Sequence, residues 1–343
     1  MTQAQTRHRG HGSSVAERTG SFGRRLLSGW QAPGLWRRGI VLAVLALALA
    51  GVMAFHARIP NDVGNLGSLL ETFLPWLGIG IPVLLLLAFV RRSATALIAL
   101  LLPTVMWLNL FGGLVPSKAS TSGDLTVATH NVNAENPDPA GTGRDVADSG
   151  ADVVALEELT GDAVQAYEKA LGGTYKYHSV QGTVGIWSKY PLKDVRPVDI
   201  KLGWTRALRG TVETPRGQVA VYVAHLPSVR VKFNAGFTAE QRDGSARALG
   251  RAIAHEPIGK VVLLGDLNGT MNDRALAPVT SPGSSTMRST QGAAGDGFGF
   301  SWPASFPMAR IDQIMVRDLE PVSSWTLPRT ASDHLPIAAT VEI

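Results

Sequence analysis

Three long apolar runs occupy the first third of the chain. They cover residues 39–55, 73–90 and 94–111, and arginines stand at both ends of the first run and after the second. Each run has about 17–20 residues, the length at which a helix crosses a hydrocarbon layer of roughly 30 Å. One such run could be a buried core helix, but three in close succession favour three membrane-spanning helices.

Basic residues around these runs predict the orientation in the membrane. Seven arginines and one acid precede the first run, and Arg91-Arg92 stands in the turn between the second and third. Because positive charge favours the cytoplasmic side, we expect a multi-pass protein of the cell membrane whose N-terminus is cytoplasmic. Everything after the third run then lies outside. The first run could instead be a signal peptide, since Ala48-Leu49-Ala50 resembles a cleavage site, although two further runs argue against its removal.

Short β-branched or alternating segments dominate the rest of the chain. Eight of them are predicted strands, at residues 125–132, 153–156, 184–188, 207–212, 219–225, 260–264, 311–316 and 337–341. Residues 162–171 and 238–254 are predicted helices, the second because Thr238 and Gln241 have the spacing of a capping box. Several strand-to-strand connections are too short for a crossover helix. The pattern therefore predicts an α/β domain with two mixed sheets.

Composition divides the chain into four predicted parts. These are a disordered basic cytoplasmic tail at 1–35, a three-helix transmembrane region at 36–111, a flexible linker at 112–123 and a soluble domain at 124–343.

The net charge of +5 belongs to the leader, because residues 124–343 hold 21 Lys and Arg against 24 Asp and Glu. This balance disfavours a dedicated surface for the nucleic-acid backbone. The chain has no cysteine, so any bound metal must have oxygen or nitrogen ligands.

Carboxylates, amides and imidazoles stand at the ends of the predicted strands. Asn131, Glu158 and His225 each follow an apolar stretch, as do Asp266 and Asn268 two residues apart. Taken singly, these residues could form asparagine turns, a solvated helix start or a structural histidine. Asp312 falls inside an apolar stretch, and Asp333-His334 comes close to the C-terminus. Together they suggest a metal-assisted hydrolase, because a divalent cation needs oxygen ligands and water activation needs a base.

The order of these motifs resembles that of the endonuclease/exonuclease/phosphatase superfamily, deoxyribonuclease I-like. The motifs are Asn131-Val132-Asn133, Leu156-Glu157-Glu158, Gly185 to Pro191, Ala224-His225-Leu226, Gly265-Asp266-Leu267-Asn268, Arg310-Ile311-Asp312 and Ser332 to Pro336. The resemblance covers about residues 125–343 and not the membrane part. It implies a four-layer sandwich of two mixed β-sheets flanked by helices. It also implies hydrolysis of phosphate esters by in-line attack of water, with Mg²⁺ or Mn²⁺ as cofactor.

The resemblance also suggests roles for individual residues. Glu158, Asn131 and Asp333 would be metal ligands, and Asn131 and Asn268 would contact the phosphate. The implied catalytic residues are His334, Asp266, Asn268, His225 and Asp312. Glu157 stands where the superfamily usually has glutamine. Arg206 and Arg230 are further candidates for binding a phosphate, although solvated surface charge is the simpler explanation for them.

The sequence leaves the substrate open between lipid headgroups, nucleic acids and other phosphate esters. Membrane lipid is the second expected partner, through the three apolar helices, and no protein partner is inferred. A catalytically silent, membrane-tethered binding or signalling domain on the same fold is the alternative. Clustered acids argue against it, because a domain that only binds has no physical need to keep them.

Overall fold

A computed structural model describes residues 38–61, 65–120, 123–228 and 239–343. The predicted tail at 1–35 lies outside the described residues, as does the predicted helix residue Thr238. Contacts divide the chain into two compact units. Of the described residues, those up to Ala54 and those of Trp76–Trp107 form one unit, and those of Phe55–Pro75 and Leu108–Ile343 form the other.

The apolar runs form helices, as predicted. The helices of this region are α1 (Ile40–Phe55), α2 (Leu66–Thr72), α3 (Gly80–Arg91), α4 (Ala94–Ala99) and α5 (Leu101–Phe111). Three helical stretches, Ile40–Arg58, Leu74–Arg91 and Ala94–Leu114, are long and apolar enough to cross a membrane. The second stretch ends where Arg92 takes a left-handed conformation (φ 46°), and Ser93 then caps α4 by accepting a hydrogen bond from the Ala96 amide.

The second unit is built on two mixed six-stranded sheets. Their strands are β1 (Leu125–Asn131), β2 (Val153–Glu157), β3 (Tyr177–Gln181), β4 (Val184–Ser188), β5 (Leu192–Pro197), β6 (Ala207–Thr214), β7 (Gly217–Ala224), β8 (Val261–Asp266), β9 (Arg288–Ser289), β10 (Asp312–Arg317), β11 (Glu320–Thr326) and β12 (Ile337–Glu342). The first sheet has the order β11-β12-β1-β2-β4-β3 and the second has β5-β6-β7-β8-β10-β9. All eight predicted strands are present.

Alternation along the strands produces the layers. In β8, Val262 and Leu264 face the other sheet, whereas Val261 and Leu263 face a helix. The remaining helices are α6 (Pro139–Ala147), α7 (Gly161–Leu171), α8 (Ala239–Ala254), α9 (Ala277–Thr280) and α10 (Thr290–Ala294). Helices α6 and α7 cover the first sheet, and α8 covers the second. The predicted four-layer sandwich is therefore confirmed.

Strand pairing determines which strand ends meet. β1 and β2 are parallel, with Asn131 opposite Glu157. β8 and β10 are antiparallel, with Asp266 opposite Asp312. Each chemically active side chain therefore stands at a strand terminus beside another one, and the face-to-face packing of the two sheets brings both pairs to one edge of the sandwich.

The segment between the first two apolar helices is part of the second unit. The fully buried Arg242 of α8 donates hydrogen bonds to Ser68 Oγ in α2 (3.0 Å) and to the Asn268 carbonyl (2.8 Å), and it lies 2.7 Å from Asp273 Oδ2. Thr270 Oγ1 donates to the Glu71 carbonyl at 3.1 Å. One guanidinium thus links α2 to the loop that follows β8, which carries Asn268.

Candidate active site

Asp312 and His334 form a buried pair at the edge of the sandwich. His334 Nδ1 lies 2.9 Å from Oδ2 and 3.2 Å from Oδ1 of Asp312, and the imidazole is only 5% exposed. Burial opposes charge on both groups, but each stabilises the charged form of the other. The pKa of His334 is raised to about 10, mainly by Asp312 acting against burial, and that of Asp312 is lowered despite its burial by the His334 charge. His334 is therefore a cation at neutral pH.

Asp266 is held by two asparagines. Its Oδ2 accepts hydrogen bonds from Asn131 Nδ2 (3.0 Å) and Asn268 Nδ2 (3.2 Å), and its Oδ1 accepts one from the Asn268 amide (2.9 Å). Burial, followed by the charge of Asp312, raises the pKa of Asp266 to about 7. This carboxyl can therefore exchange a proton near neutral pH, unlike an ordinary aspartate.

Glu158 and His225 complete the group on the other side of Asn131. Asn131 Nδ2 also donates to Glu158 Oε1 (3.1 Å), and the Ala134 amide donates to Oε2 (3.0 Å). His225 Nε2 lies 3.6 Å from Glu158 Oε1 and 3.7 Å from Asp266 Oδ2. Burial, followed by the charge of Arg206, lowers the pKa of His225 well below its usual value, so this imidazole is neutral.

The converging atoms fit a hard divalent cation. Glu158 Oε1 and Asp266 Oδ2 both contact Asn131 Nδ2, so two carboxylate oxygens approach one point, and the neutral His225 lies beside both. Among the described residues, Asp266, Asp312 and His334 also place one ligand atom each within 4.8 Å of one another. His334 Nδ1 is engaged by Asp312, and the imidazole is a cation, so His334 does not suit a metal ligand. Glu158 and Asp266 remain as the oxygen donors that Mg²⁺ prefers.

The remaining predicted site residues have different surroundings. Asp333 is exposed, and its carbonyl accepts a hydrogen bond from the Ala304 amide. Arg206 lines a cavity of about 300 Å³ together with Glu158 and His225, and its guanidinium lies 5.5 Å from the ring centroid of Trp204. Arg230 lies outside the described residues.

Sequence reasoning did not identify Ser301, Ser332 and Thr129 as supporting residues. Ser301 Oγ donates to Asp312 Oδ2 at 2.5 Å, and Ser332 Oγ donates to the Asn131 carbonyl at 2.7 Å. Thr129 Oγ1 donates to Glu157 at 2.8 Å. Ser301 and Thr129 stand outside the motifs, and Ser332 begins one without a role assigned to it, because the partners of single serines and threonines are set only by the fold.

Glu157 is completely buried, and burial raises its pKa well above the usual range. A protonated carboxyl has one O–H donor and one carbonyl acceptor on a side chain of glutamine's length. The glutamate therefore presents nearly the same groups as the glutamine that the resemblance gives at this position.

The model of the Endonuclease/Exonuclease/phosphatase family matches residues 128–334, more than half of the chain. The chain belongs to this family. The matched region begins in β1 and ends at His334, so it includes both buried pairs at the edge of the sandwich. Family membership supports a phosphoesterase of the nuclease or phosphatase type.

Solved structures agree with the family at the level of the fold. TDP2 from D. rerio, complexed with single strand DNA product, is 20% identical over 65% of this chain and 100% of its own, with a TM-score of 0.54. An endonuclease/exonuclease/phosphatase from Bacteroides vulgatus is 17% identical over 65% of this chain and 100% of its own, also with a TM-score of 0.54. Beta toxin from Staphylococcus aureus, with bound magnesium ions, is 16% identical over 63% of this chain and 99% of its own, with a TM-score of 0.50. No curated protein matches the chain in sequence.

Proposed function

We propose that this protein is a membrane-anchored, Mg²⁺-dependent phosphoesterase that hydrolyses its substrate by in-line attack of water on phosphorus. The observation that carries the proposal is the convergence of Glu158 and Asp266 on Asn131, beside the charged Asp312–His334 pair. Mn²⁺ has the same ligand preference and is a second candidate ion.

The ionisation of the site suggests separate roles for its acids and imidazoles. A bound Mg²⁺ would neutralise charge that develops on the phosphoryl oxygens. His334, kept cationic by Asp312, suits contact with a phosphate oxygen better than it suits accepting a proton. Asp266, which would be unprotonated once Mg²⁺ has displaced its proton, is the better proton acceptor for the attacking water. Asn131 and Asn268 orient Asp266, and their amides can also contact the phosphate.

The cavity beside the site would hold the part of the substrate beyond the phosphate. Trp204 is 60% exposed and presents its indole next to the Arg206 guanidinium. An aromatic face beside a cation can accept a nucleobase by stacking or an anionic headgroup by charge. The substrate class therefore stays open between nucleic acid and lipid.

A substrate panel tests the proposed activity. Purified full-length protein is incubated with sphingomyelin, phosphoinositides, plasmid DNA and bis-p-nitrophenyl phosphate, with and without Mg²⁺. We expect hydrolysis of at least one compound, dependent on the metal. A protein that binds lipid or DNA tightly but cleaves none of the panel would favour the silent binding domain instead.

We further propose a cytoplasmic N-terminus and an extracytoplasmic catalytic domain. Seven arginines precede the first apolar helix, and Arg91-Arg92 stands between the second and third. A reporter enzyme that is active only in the cytoplasm, fused after Ile343, should give no signal in intact cells. The same reporter fused before Met1 serves as the matched control. High activity of the C-terminal fusion would show that the catalytic domain is cytoplasmic and would overturn the proposed orientation.

Metal affinity should depend on pH through Asp266. Below its raised pKa of about 7, this carboxyl holds a proton that Mg²⁺ must displace. We therefore expect affinity to rise with pH by up to about tenfold per unit below neutrality and to level off above it. Titration calorimetry of the full-length protein measures this dependence. The Asp266→Asn variant should bind Mg²⁺ more weakly, and its affinity should no longer rise with pH. A pH dependence that persists in this variant would assign the proton to another group.

A further inference from the structure

A second cavity, of about 270 Å³, lies in the catalytic unit and shares no lining residue with the cavity beside the carboxylates. Three aromatic rings contribute to its wall. The Phe111 and Phe298 centroids are 6.1 Å apart, and those of Phe298 and Phe300 are 5.1 Å apart. Leu110, Leu114 and Met271 also line it. Such a wall would accept an apolar chain, because burying apolar surface is favourable at about 25 cal/mol per Å².

The ends of two apolar helices line this cavity. Leu110, Phe111 and Leu114 belong to the C-terminal end of the Ala94–Leu114 stretch, and Pro75 lies at the start of the Leu74–Arg91 stretch. The ends of membrane-spanning helices lie at the level of lipid headgroups and the adjacent acyl carbons. The inference therefore rests on the membrane association proposed above, but not on the phosphoesterase activity.

Three buried polar atoms of residues that line the same cavity have no hydrogen-bond partner among the described residues. Arg310 is 6% exposed; its Nη1 donates to the Gly299 carbonyl (2.8 Å) and its Nη2 to Ser324 Oγ (3.4 Å), but Nε has no hydrogen-bond acceptor. The side-chain oxygens of Gln291 and Gln313, both buried, have no donor within the described chain. These three residues all line the cavity.

Arg310 forms no salt bridge among the described residues. Burial lowers its pKa to about 10 and the charge of Asp312 opposes this, so Arg310 remains charged. Asp312 already binds His334 at 2.9 Å, so its charge compensates Arg310 only in part. A buried cation that is incompletely compensated is costly, and an anionic oxygen in the cavity would lower that cost. Gln313 is on the opposite face of β10 from its neighbour Asp312.

We propose that this cavity binds one anionic phospholipid of the surrounding bilayer, as a non-substrate ligand. A phosphate oxygen would contact Arg310, and hydroxyl groups of the headgroup would donate to Gln291 and Gln313. Part of an acyl chain would pack on Phe111, Phe298 and Phe300. The lipid would thereby connect the catalytic domain to the leaflet from which the third apolar helix emerges.

Photolabelling tests this binding directly. Full-length protein in nonionic detergent micelles receives a trace of phosphatidylglycerol that carries a photoreactive group in its acyl chain. EDTA is present to prevent turnover of the lipid. After irradiation, mass spectrometry should find the label on peptides that contain residues 110–114 or 289–300. Label distributed evenly over the apolar helices would contradict the proposal.

Gly292→Phe is designed to fill the cavity without disturbing the fold. A Cβ at Gly292 would meet only the Ser289 side chain, at 3.7–3.8 Å, so the backbone can accept a larger residue. Gly161→Phe is the matched control, because a Cβ there meets nothing within 4 Å. We expect Gly292→Phe to lower labelling at least tenfold and Gly161→Phe to leave it unchanged, with the melting temperatures of both close to that of the parent. Undiminished labelling of Gly292→Phe would overturn the proposal.

Competition between two lipids with different headgroups separates the contribution of the headgroup to binding from that of the acyl chains. Unlabelled phosphatidylglycerol should displace the probe at a concentration at least tenfold below that of phosphatidylcholine with the same acyl chains. Arg310→Gln should abolish this preference while labelling persists. Equal competition by the two lipids in the parent would show that Arg310 does not select an anionic headgroup. None of these readouts requires hydrolysis, so they stay informative even if the phosphoesterase proposal fails.

Discussion

Replacing His334 with alanine is expected to lower the rate of hydrolysis at least about 100-fold, the usual effect of losing one positioned donor to an oxygen on which charge develops. The same change should destabilise the fold by about 3–5 kcal/mol, because it leaves the buried Asp312 carboxylate without its cation. Turnover and thermal melting of the full-length protein measure the two effects. The exposed His255 provides the control, since His255→Ala should change neither.

A second variant separates chemistry from folding. The bond to Asp312 is made through His334 Nδ1, and the amide nitrogen of asparagine can occupy nearly the same position. His334→Asn should therefore recover part of the stability that His334→Ala loses, because it restores a hydrogen bond to Asp312 but not the positive charge. It should recover none of the activity, because it lacks the cationic Nε2–H. If His334→Asn or His334→Ala turned over substrate at the parental rate, His334 would not be part of the active site.

Glu158→Gln is expected to raise the Mg²⁺ concentration for half-maximal activity by at least about tenfold, because one of two converging carboxylates loses its charge. The amide can still accept the hydrogen bond from the Ala134 amide, so the local fold should persist. Mg²⁺ titration of turnover measures the effect. Glu135→Gln is the matched control, since Glu135 is nearby and exposed. An unchanged titration in Glu158→Gln would remove Glu158 from the metal site.

The strands that the sequence predicts are the central ones. The four strands it missed, β3, β5, β9 and β11, are the four edge strands of the two sheets. An edge strand is covered on fewer sides and carries polar residues, as β5 does with Lys193, Asp194 and Arg196, so its apolar alternation is weak. Buried central strands such as β8 keep a continuous apolar run that the sequence reveals.

The site was predictable where its residues belong to motifs at strand ends. Asp266, Asp312, His334, Asn131 and Glu158 lie in such motifs, and the fold brings them together. The contacts of Ser301 and Ser332 and the burial of His334 could not be predicted, because they depend on where loops lie in the folded domain. The placement of the Arg242–Ser68 contact is unpredictable for the same reason, since it joins residues far apart in the chain.

The most direct test compares the full-length parent with Asp266→Asn on bis-p-nitrophenyl phosphate. Asparagine keeps the shape of Asp266 but can neither bind Mg²⁺ as an anion nor accept the water's proton. We predict that the parent hydrolyses this compound with Mg²⁺, that hydrolysis stops in EDTA, and that it recovers when the metal is added again. The turnover rate of the parent should exceed that of Asp266→Asn at least about 100-fold. Equal turnover by the two proteins, or turnover by the parent that persists in EDTA, would contradict a metal-dependent phosphoesterase centred on Asp266.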